Sequence, residues 1–253
     1  MQLQNIKSEL TFVIPVRIDC KERIENLRTV LRYLERLRCN IIVLEADSSP
    51  SMEREILSEN IKYIFIKDSS DVFFRTHYIN DLIRRANTNI IAVWDTDVLV
   101  DYTQIYEALQ QIKEGYTIAY PYNGEFVLLA EQISDKIREK VDMEYLRCMK
   151  LKSFMGRKMC GGAYLVNRQQ YLLCGGENEH FISWGPEDTE RMHRVQILGY
   201  KVTWTKQGQL YHLYHPRGEN SKYPSEENAN RLRKEFIKVC CMDKETLIKY
   251  IQE

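Results

Sequence analysis

The triplet Asp95-Thr96-Asp97 places two carboxylates directly behind the apolar run Ile90–Trp94. In an extended chain, alternation would aim residues 95 and 97 the same way. Two like charges on one side repel unless a cation or a pair of basic groups sits between them. A divalent ion bridging Asp97 to a diphosphate would resolve that repulsion; a turn or helix cap is the bland alternative, since Asp and Thr suit both. A second cluster, Tyr211 to Arg217, contains His212 and His215. Two imidazoles could share one ion with Asp97, and carboxylate plus imidazole suits manganese better than calcium. The alternative is a pair of histidines at the edge of a core. Arg217 carries the planar fork that matches phosphate oxygens. The third cluster is Trp184-Gly185-Pro186-Glu187-Asp188, a turn that delivers two carboxylates to the start of a helix. The dipole alone favours acids there. One carboxylate could equally serve as a general base toward a hydroxyl, with the Trp184 ring lying on a sugar face.

Those clusters need a frame. Four β-branched apolar runs, Leu10–Val16, Ile41–Leu44, Tyr63–Ile66 and Ile90–Trp94, punctuate the first hundred residues. Glu22–Arg38 has helical spacing, with Ile24, Leu27, Leu31 and Leu34 on one stripe. Asp71–Ala86 reads the same way. Strands alternating with helices predict parallel βαβ units in an α/β fold, whose ligands gather beyond the carboxyl ends of the strands. That edge would carry Pro15 and Arg17 after the first run, Asp47 after the second, and Asp95 and Asp97 after the fourth. The second half reads less regularly. Asp101–Glu114 and Ser134–Lys152 have helical spacing, with an aromatic, extended stretch over Tyr116–Leu129 between them. Gly161-Gly162 opens a strand to Val166, and Glu187–Leu198 reads as a helix. Lys201–Trp204 and Gln209–Leu213 read as strands, and Glu226–Val239 and Lys244–Ile251 as closing helices. With no linker or repeat, we expect one domain over 1–253: a nucleotide-binding half at about 9–100, then an acceptor-binding and catalytic half at about 101–253.

The chain has 253 residues, 44% hydrophobic and 28% charged, with 36 basic and 36 acidic side chains. The zero balance argues against a general nucleic-acid binder. No run approaches the ~18–20 apolar residues of a membrane span, which leaves peripheral membrane contact open. The polar start from Met1 to Leu10 lacks the apolar core of a signal peptide. The seven scattered cysteines contain no CxxC pair, and we expect reduced thiols in a cytoplasmic protein.

Taken in order, these motifs resemble the beta-1,4-galactosyltransferases. The resemblance rests on Gly161 to Leu172 (Gly-Gly, then Gln169-Gln170-Tyr171-Leu172), Trp184-Gly185-Pro186-Glu187-Asp188 and His215-Pro216-Arg217, preceded by Ile14-Pro15-Val16-Arg17 and Asp95-Thr96-Asp97. Related turns occur in polypeptide N-acetylgalactosaminyltransferases and chondroitin-type polymerases. The match spans about 11–217, and its specific part is 160–217. It implies a GT-A fold with a Rossmann-like, mostly parallel sheet, a UDP-sugar donor, Mn²⁺ (Mg²⁺ second) and inversion at the anomeric carbon. Residue by residue, it implies Asp97 and His215 as metal ligands, with His212 standing where the family has a methionine ligand. Asp188 takes the base position and Glu187 the acceptor site beside it. Trp184 covers the donor, and Pro15, Arg17 and Arg75 contact the nucleotide. Asp47, Asp95 and Gly162 complete the expected donor-binding set. Pro186 replaces a family glycine, which would stiffen the covering loop.

The function this implies is transfer of galactose or N-acetylgalactosamine from a UDP-sugar to a glycan or glycolipid hydroxyl. The setting would be a cytoplasmic enzyme, at the inner membrane face, building a bacterial surface polysaccharide. Two rivals stand beside it. A nucleotidyltransferase or nucleotide-sugar hydrolase would use a related fold, although Pro15–Arg23 contains no phosphate-cradling glycine. A non-catalytic nucleotide-sugar-binding subunit would need the cleft but not both Asp97 and Asp188.

Overall fold

The computed structural model describes residues 6–52, 58, 60–218 and 222–252. The start of the N-terminal segment read above, residues 1–5, lies outside them. Four parallel strands form the first half of a seven-stranded sheet: β1 (Leu10–Val16), β2 (Asn40–Asp47), β3 (Ile61–Lys67) and β4 (Ile90–Trp94). Helices α1 (Lys21–Glu35) and α2 (Arg75–Arg85) follow β1 and β3. A two-residue strand, β5 (Val98–Leu99), and α3 (Tyr102–Lys113) lead into the second half. There β6 (Ile118–Tyr120), β7 (Phe126–Leu128), α4 (Glu131–Glu139), α5 (Met143–Cys148), β8 (Ala163–Asn167) and α6 (Arg168–Leu173) follow. The chain ends with α7 (Glu187–Ile197), β9 (Val202–Trp204), β10 (Leu210–His212), α8 (Glu226–Cys240) and α9 (Lys244–Tyr250).

The large sheet runs β3-β2-β1-β4-β8-β6-β9, and a small sheet runs β5-β10-β7. The expected parallel arrangement holds through β4. It then breaks, because β8 lies antiparallel to both β4 and β6. Strands from both halves of the chain therefore share one sheet. β1 and β4 are buried along their whole length, as continuous apolar runs between two helical layers should be.

Several sequence expectations shift for local reasons. Ser134–Lys152 is not one helix: Lys140 turns extended (φ −151, ψ 117), and Asp142 caps a new helix by accepting from the Tyr145 N–H. The first helix stops at Glu35, and Arg38 adopts a left-handed φ of 49. α2 begins at Arg75, leaving Val72 outside it. Asp101 closes a capping box with Gln104 at the head of α3, which fixes the chain leaving the β4–β5 turn.

Candidate active site at the β4 edge

The chain does not stay extended after β4. Residues 95–97 make a turn into β5, so the alternation that would align the two carboxylates does not apply. Asp95 is tied by its N–H to the Gly162 carbonyl (2.8 Å), and Asp97 offers its carbonyl to the Leu213 N–H (2.7 Å). The two side chains then take separate partners. Asp95 meets Arg75 at 2.5 Å, while Asp97 faces His212 (3.4 Å), His215 (3.2 Å) and Arg23 (3.4 Å).

β10 brings the histidines there by pairing antiparallel with β5, His212 opposite Val98. One donor atom from each of Asp97, His212 and His215 lies within 4.8 Å of the others, a group that could hold a metal ion, formed from both halves of the chain. Burial works against the Asp97 charge, yet His212, His215 and Arg23 hold its carboxyl below the usual range. Burial lowers His212, against the pull of Asp97. For His215 the bond to Asp97 outweighs burial and raises it. The His215 Nδ1 lies 2.8 Å from the Pro216 carbonyl, so a proton there leaves Nε2 facing Asp97. An imidazole lone pair and a carboxylate at 3.2 Å need a proton or a cation between them. The donor chemistry therefore fits a divalent transition ion, and the two nitrogens favour Mn²⁺ over Mg²⁺.

The second group sits at the head of α7. Pro186 cannot cap with a side chain, and Glu187, Asp188 and Glu190 fill the first turn. Glu187 is only 7% exposed, and its Oε2 has no hydrogen-bond partner. Burial, with the Asp188 charge beside it, pushes its carboxyl up to about 8. Asp188 is partly open and accepts from Arg191 at 2.7 Å. A Cβ on Gly161 would lie 2.3 Å from Asp188 Oδ2, so a larger residue there would push that carboxylate aside. Arg75 connects the two groups. Burial opposes its charge, but Asp95, Asp188 and Glu187 all act on it and raise its pKa, and its Nη1 is buried without a partner.

Residues 149–216 match the sequence model of a family described as the N-terminal domain of galactosyltransferase. No curated protein matches the chain significantly. Among solved structures, a mutant of Drosophila beta-1,4-galactosyltransferase 7 in complex with manganese, UDP-Gal and xylobiose is similar. It has 16% identity, covers 95% of this chain and 79% of its own, and gives a TM-score of 0.53. The catalytic domain of the same Drosophila enzyme, with xylobiose, aligns at 19% identity over 82% of this chain and 71% of its own, at a TM-score of 0.48. The chain has the α/β fold of these galactosyltransferase structures, and its segment 149–216 is similar in sequence to the galactosyltransferase family. At 16% identity the manganese complex speaks for the fold alone, and the matched segment 149–216 contains Gly162, Trp184, Glu187, Asp188, His212 and His215.

The remaining expected residues are placed as follows. Pro15 is buried in β1. Arg17 uses Nε on the Ala46 carbonyl (3.0 Å), Nη1 on the Ser70 carbonyl (2.8 Å) and Nη2 on Asp68 (2.8 Å). Its guanidinium thus clips together the ends of β1, β2 and β3. Asp47 accepts from the Ser48 N–H and hydroxyl. Gly162 has φ +83, and a Cβ there would press on Phe126 at 3.0 Å and Leu210 at 3.1 Å. Trp184 is 46% exposed and stands edge-on to Tyr223 with centroids 4.9 Å apart. Arg217 is exposed.

Sequence reading missed two contributors. Arg23, in the first turn of α1, reaches Asp19 (2.6 Å), Asp97 and His215. Its signal was available: a helix that follows β1 starts at the ligand edge. The other is the buried pair Arg191–Glu177 (2.8 Å), with Tyr164 and Tyr171 both donating to Glu177. Burial alone would raise Glu177, but Arg191 and the tyrosines bring it down to about 2. No motif announces that network, because its members are joined only by folding.

Proposed function

We propose that this protein is an inverting, Mn²⁺-dependent transferase that moves galactose or N-acetylgalactosamine from a UDP-sugar to a hydroxyl of a glycan or glycolipid. The observation that carries the reading is the Asp97, His212 and His215 group, beside an Asp95 whose partner Arg75 also feels Glu187 and Asp188. The Drosophila neighbour was solved with manganese and UDP-Gal, which supports the same pair of ligands here. Asp97, His212 and His215 would hold the ion, whose chemistry is Lewis-acid stabilisation of the departing diphosphate.

The chain's own residues divide the remaining work. Asp188, held in place by Arg191, takes the proton of the attacking hydroxyl. Glu187, carrying its proton at neutral pH, orients the acceptor by donating to a sugar oxygen. Arg75 keeps positive charge between Asp95 and the α7 carboxylates. Pro15, Arg17 and Asp47 frame the nucleotide cleft of the 9–100 half, with Arg17 as its clip. Gly162 keeps backbone close to the donor, and Trp184 closes over it while 101–253 supplies the acceptor side. Among the described residues no helix is long and apolar enough to cross a membrane, and all seven cysteines are unpaired. The unpaired thiols support a reducing, cytoplasmic setting. A screen of UDP-sugars with Mn²⁺, with and without glycan acceptors and read by UDP release, tests the reading. Acceptor-stimulated release is expected. Release independent of acceptor would instead support a nucleotide-sugar hydrolase.

A further inference from the structure

The chain as a whole is electrically balanced, but one stretch is not. From Tyr145 to Gly176 there is no Asp or Glu, while Arg147, Lys150, Lys152, Arg157, Lys158 and Arg168 all fall within it. Three of these cations are engaged. Arg147 pairs with Asp101 at 2.8 Å, Lys158 lies over the Trp204 ring at 5.2 Å, and Arg168 donates to the carbonyls of Ile83 and Arg84. Lys150, Lys152 and Arg157 are exposed and make no ion pair among the described residues. Between them, at the crest of the α5–β8 connection, Phe154 is 52% and Met155 37% exposed. They are adjacent members of the small set of large apolar side chains that the described surface leaves open.

The connection is also anchored at the site. The Phe154 N–H donates to the Phe126 carbonyl (2.6 Å), and the Gln209 amide donates to the Leu151 carbonyl (3.0 Å). The Phe126 ring lies 5.6 Å from the His212 ring. At the far end, Cys160 touches Thr189 at 3.8 Å, one residue from Asp188.

We propose that residues 150–157 dock this protein on an anionic membrane surface. Phe154 and Met155 enter the interfacial layer while Lys150, Lys152 and Arg157 meet lipid headgroup charge. An apolar pair flanked along the chain by three cations matches that surface on both counts, and Glu125, which accepts from the same Gln209 amide that holds Leu151, is an acid beside the connection and is itself engaged. Docking there would hold the α7 carboxylates beside the headgroups, where a lipid-linked acceptor presents its sugar. That benefit rests on the transferase reading; the lipid binding does not.

The test is flotation of the full chain with vesicles of phosphatidylcholine alone and of phosphatidylcholine mixed with phosphatidylglycerol. Binding is expected only to the mixed vesicles, and it should weaken with salt. Each surface cation near an anionic leaflet is worth about fivefold, so Lys150→Gln, Lys152→Gln and Arg157→Gln together should lower the affinity on the order of a hundredfold. Phe154→Ala alone should lower it about tenfold. Circular dichroism and UDP release with a soluble acceptor are read in parallel. If release is absent in wild type while vesicle binding behaves as stated, the transferase reading fails and the docking stands. No binding to the mixed vesicles, equal binding by the triple variant, or capture of a soluble acidic polysaccharide without vesicle binding would each overturn the proposal.

Discussion

Replacing Glu187 with Gln isolates a carboxyl whose protonation the fold controls. Burial and the neighbouring Asp188 push it up to about 8, against 4.5 for an unperturbed glutamate. A folded value above the unfolded one means that the native state prefers the protonated form. That contribution is fully present below about pH 4.5 and is lost as pH rises through 8. Each unit of the interval corresponds to about 1.4 kcal/mol. Wild type should therefore fall behind Glu187→Gln by roughly 3 kcal/mol between pH 4.5 and pH 7, with the gap levelling near 5 kcal/mol above pH 8. The assay is urea unfolding of both proteins from pH 5 to pH 9, followed by tryptophan fluorescence. Titrations of groups away from Glu187 and Asp188 are shared and cancel in the difference. The unpartnered Oε2 contributes a constant offset, so only the slope matters. A stability difference that stays flat across this range would refute the reasoning. It would mean that Glu187 is already ionised at neutral pH, held by Arg75, and the orienting role argued from its proton would fall with it.

Three further outcomes are expected. His212→Ala should weaken Mn²⁺ binding well beyond the 10–100-fold typical of lost outer-sphere partners, measured by titration calorimetry on a protein that keeps its circular dichroism. Unchanged affinity would make His212 a core-edge histidine and leave Asp97 and His215 to bind with water. Asp188→Asn should lower kcat by about 10²–10⁴-fold with donor and Mn²⁺ affinity nearly intact, and wild-type kcat in that variant would move the base elsewhere. UDP-sugar with Mn²⁺ should protect residues 180–190 from proteolysis and shift tryptophan emission as Trp184 leaves solvent; no protection at saturating donor would indicate a preformed loop stiffened by Pro186.

The first hundred residues were the most legible part of the chain, because buried parallel strands write themselves as unbroken apolar runs. Leu10–Val16 and Ile90–Trp94 are strands at those bounds. The grouping of Asp97 with His212 and His215, offered by two short motifs, is one that the fold brings together. What escaped was set by long-range contact. The reversal of β8 depends on pairing with β4 across more than seventy positions of sequence. The turn at 95–97 is fixed by the carbonyl of Gly162 and the N–H of Leu213, so local alternation misjudged where its carboxylates go. Arg17 was expected to contact the nucleotide, and the partners it has in the fold come from the ends of two other strands. The charged face of α7 depends on such contacts too: Glu190, Arg191 and Arg194 are buried, each paired inside the fold.

The most direct test of the account is transfer of labelled galactose or N-acetylgalactosamine from its UDP-sugar to a glycan acceptor, in matched samples of wild type and Asp97→Asn. One set is stripped with EDTA and the other is resupplied with Mn²⁺. The account expects no product in EDTA, restored product with Mn²⁺ in wild type, and little restoration in Asp97→Asn. Full transfer in metal-free buffer, or an Asp97→Asn protein as active as wild type, would contradict it.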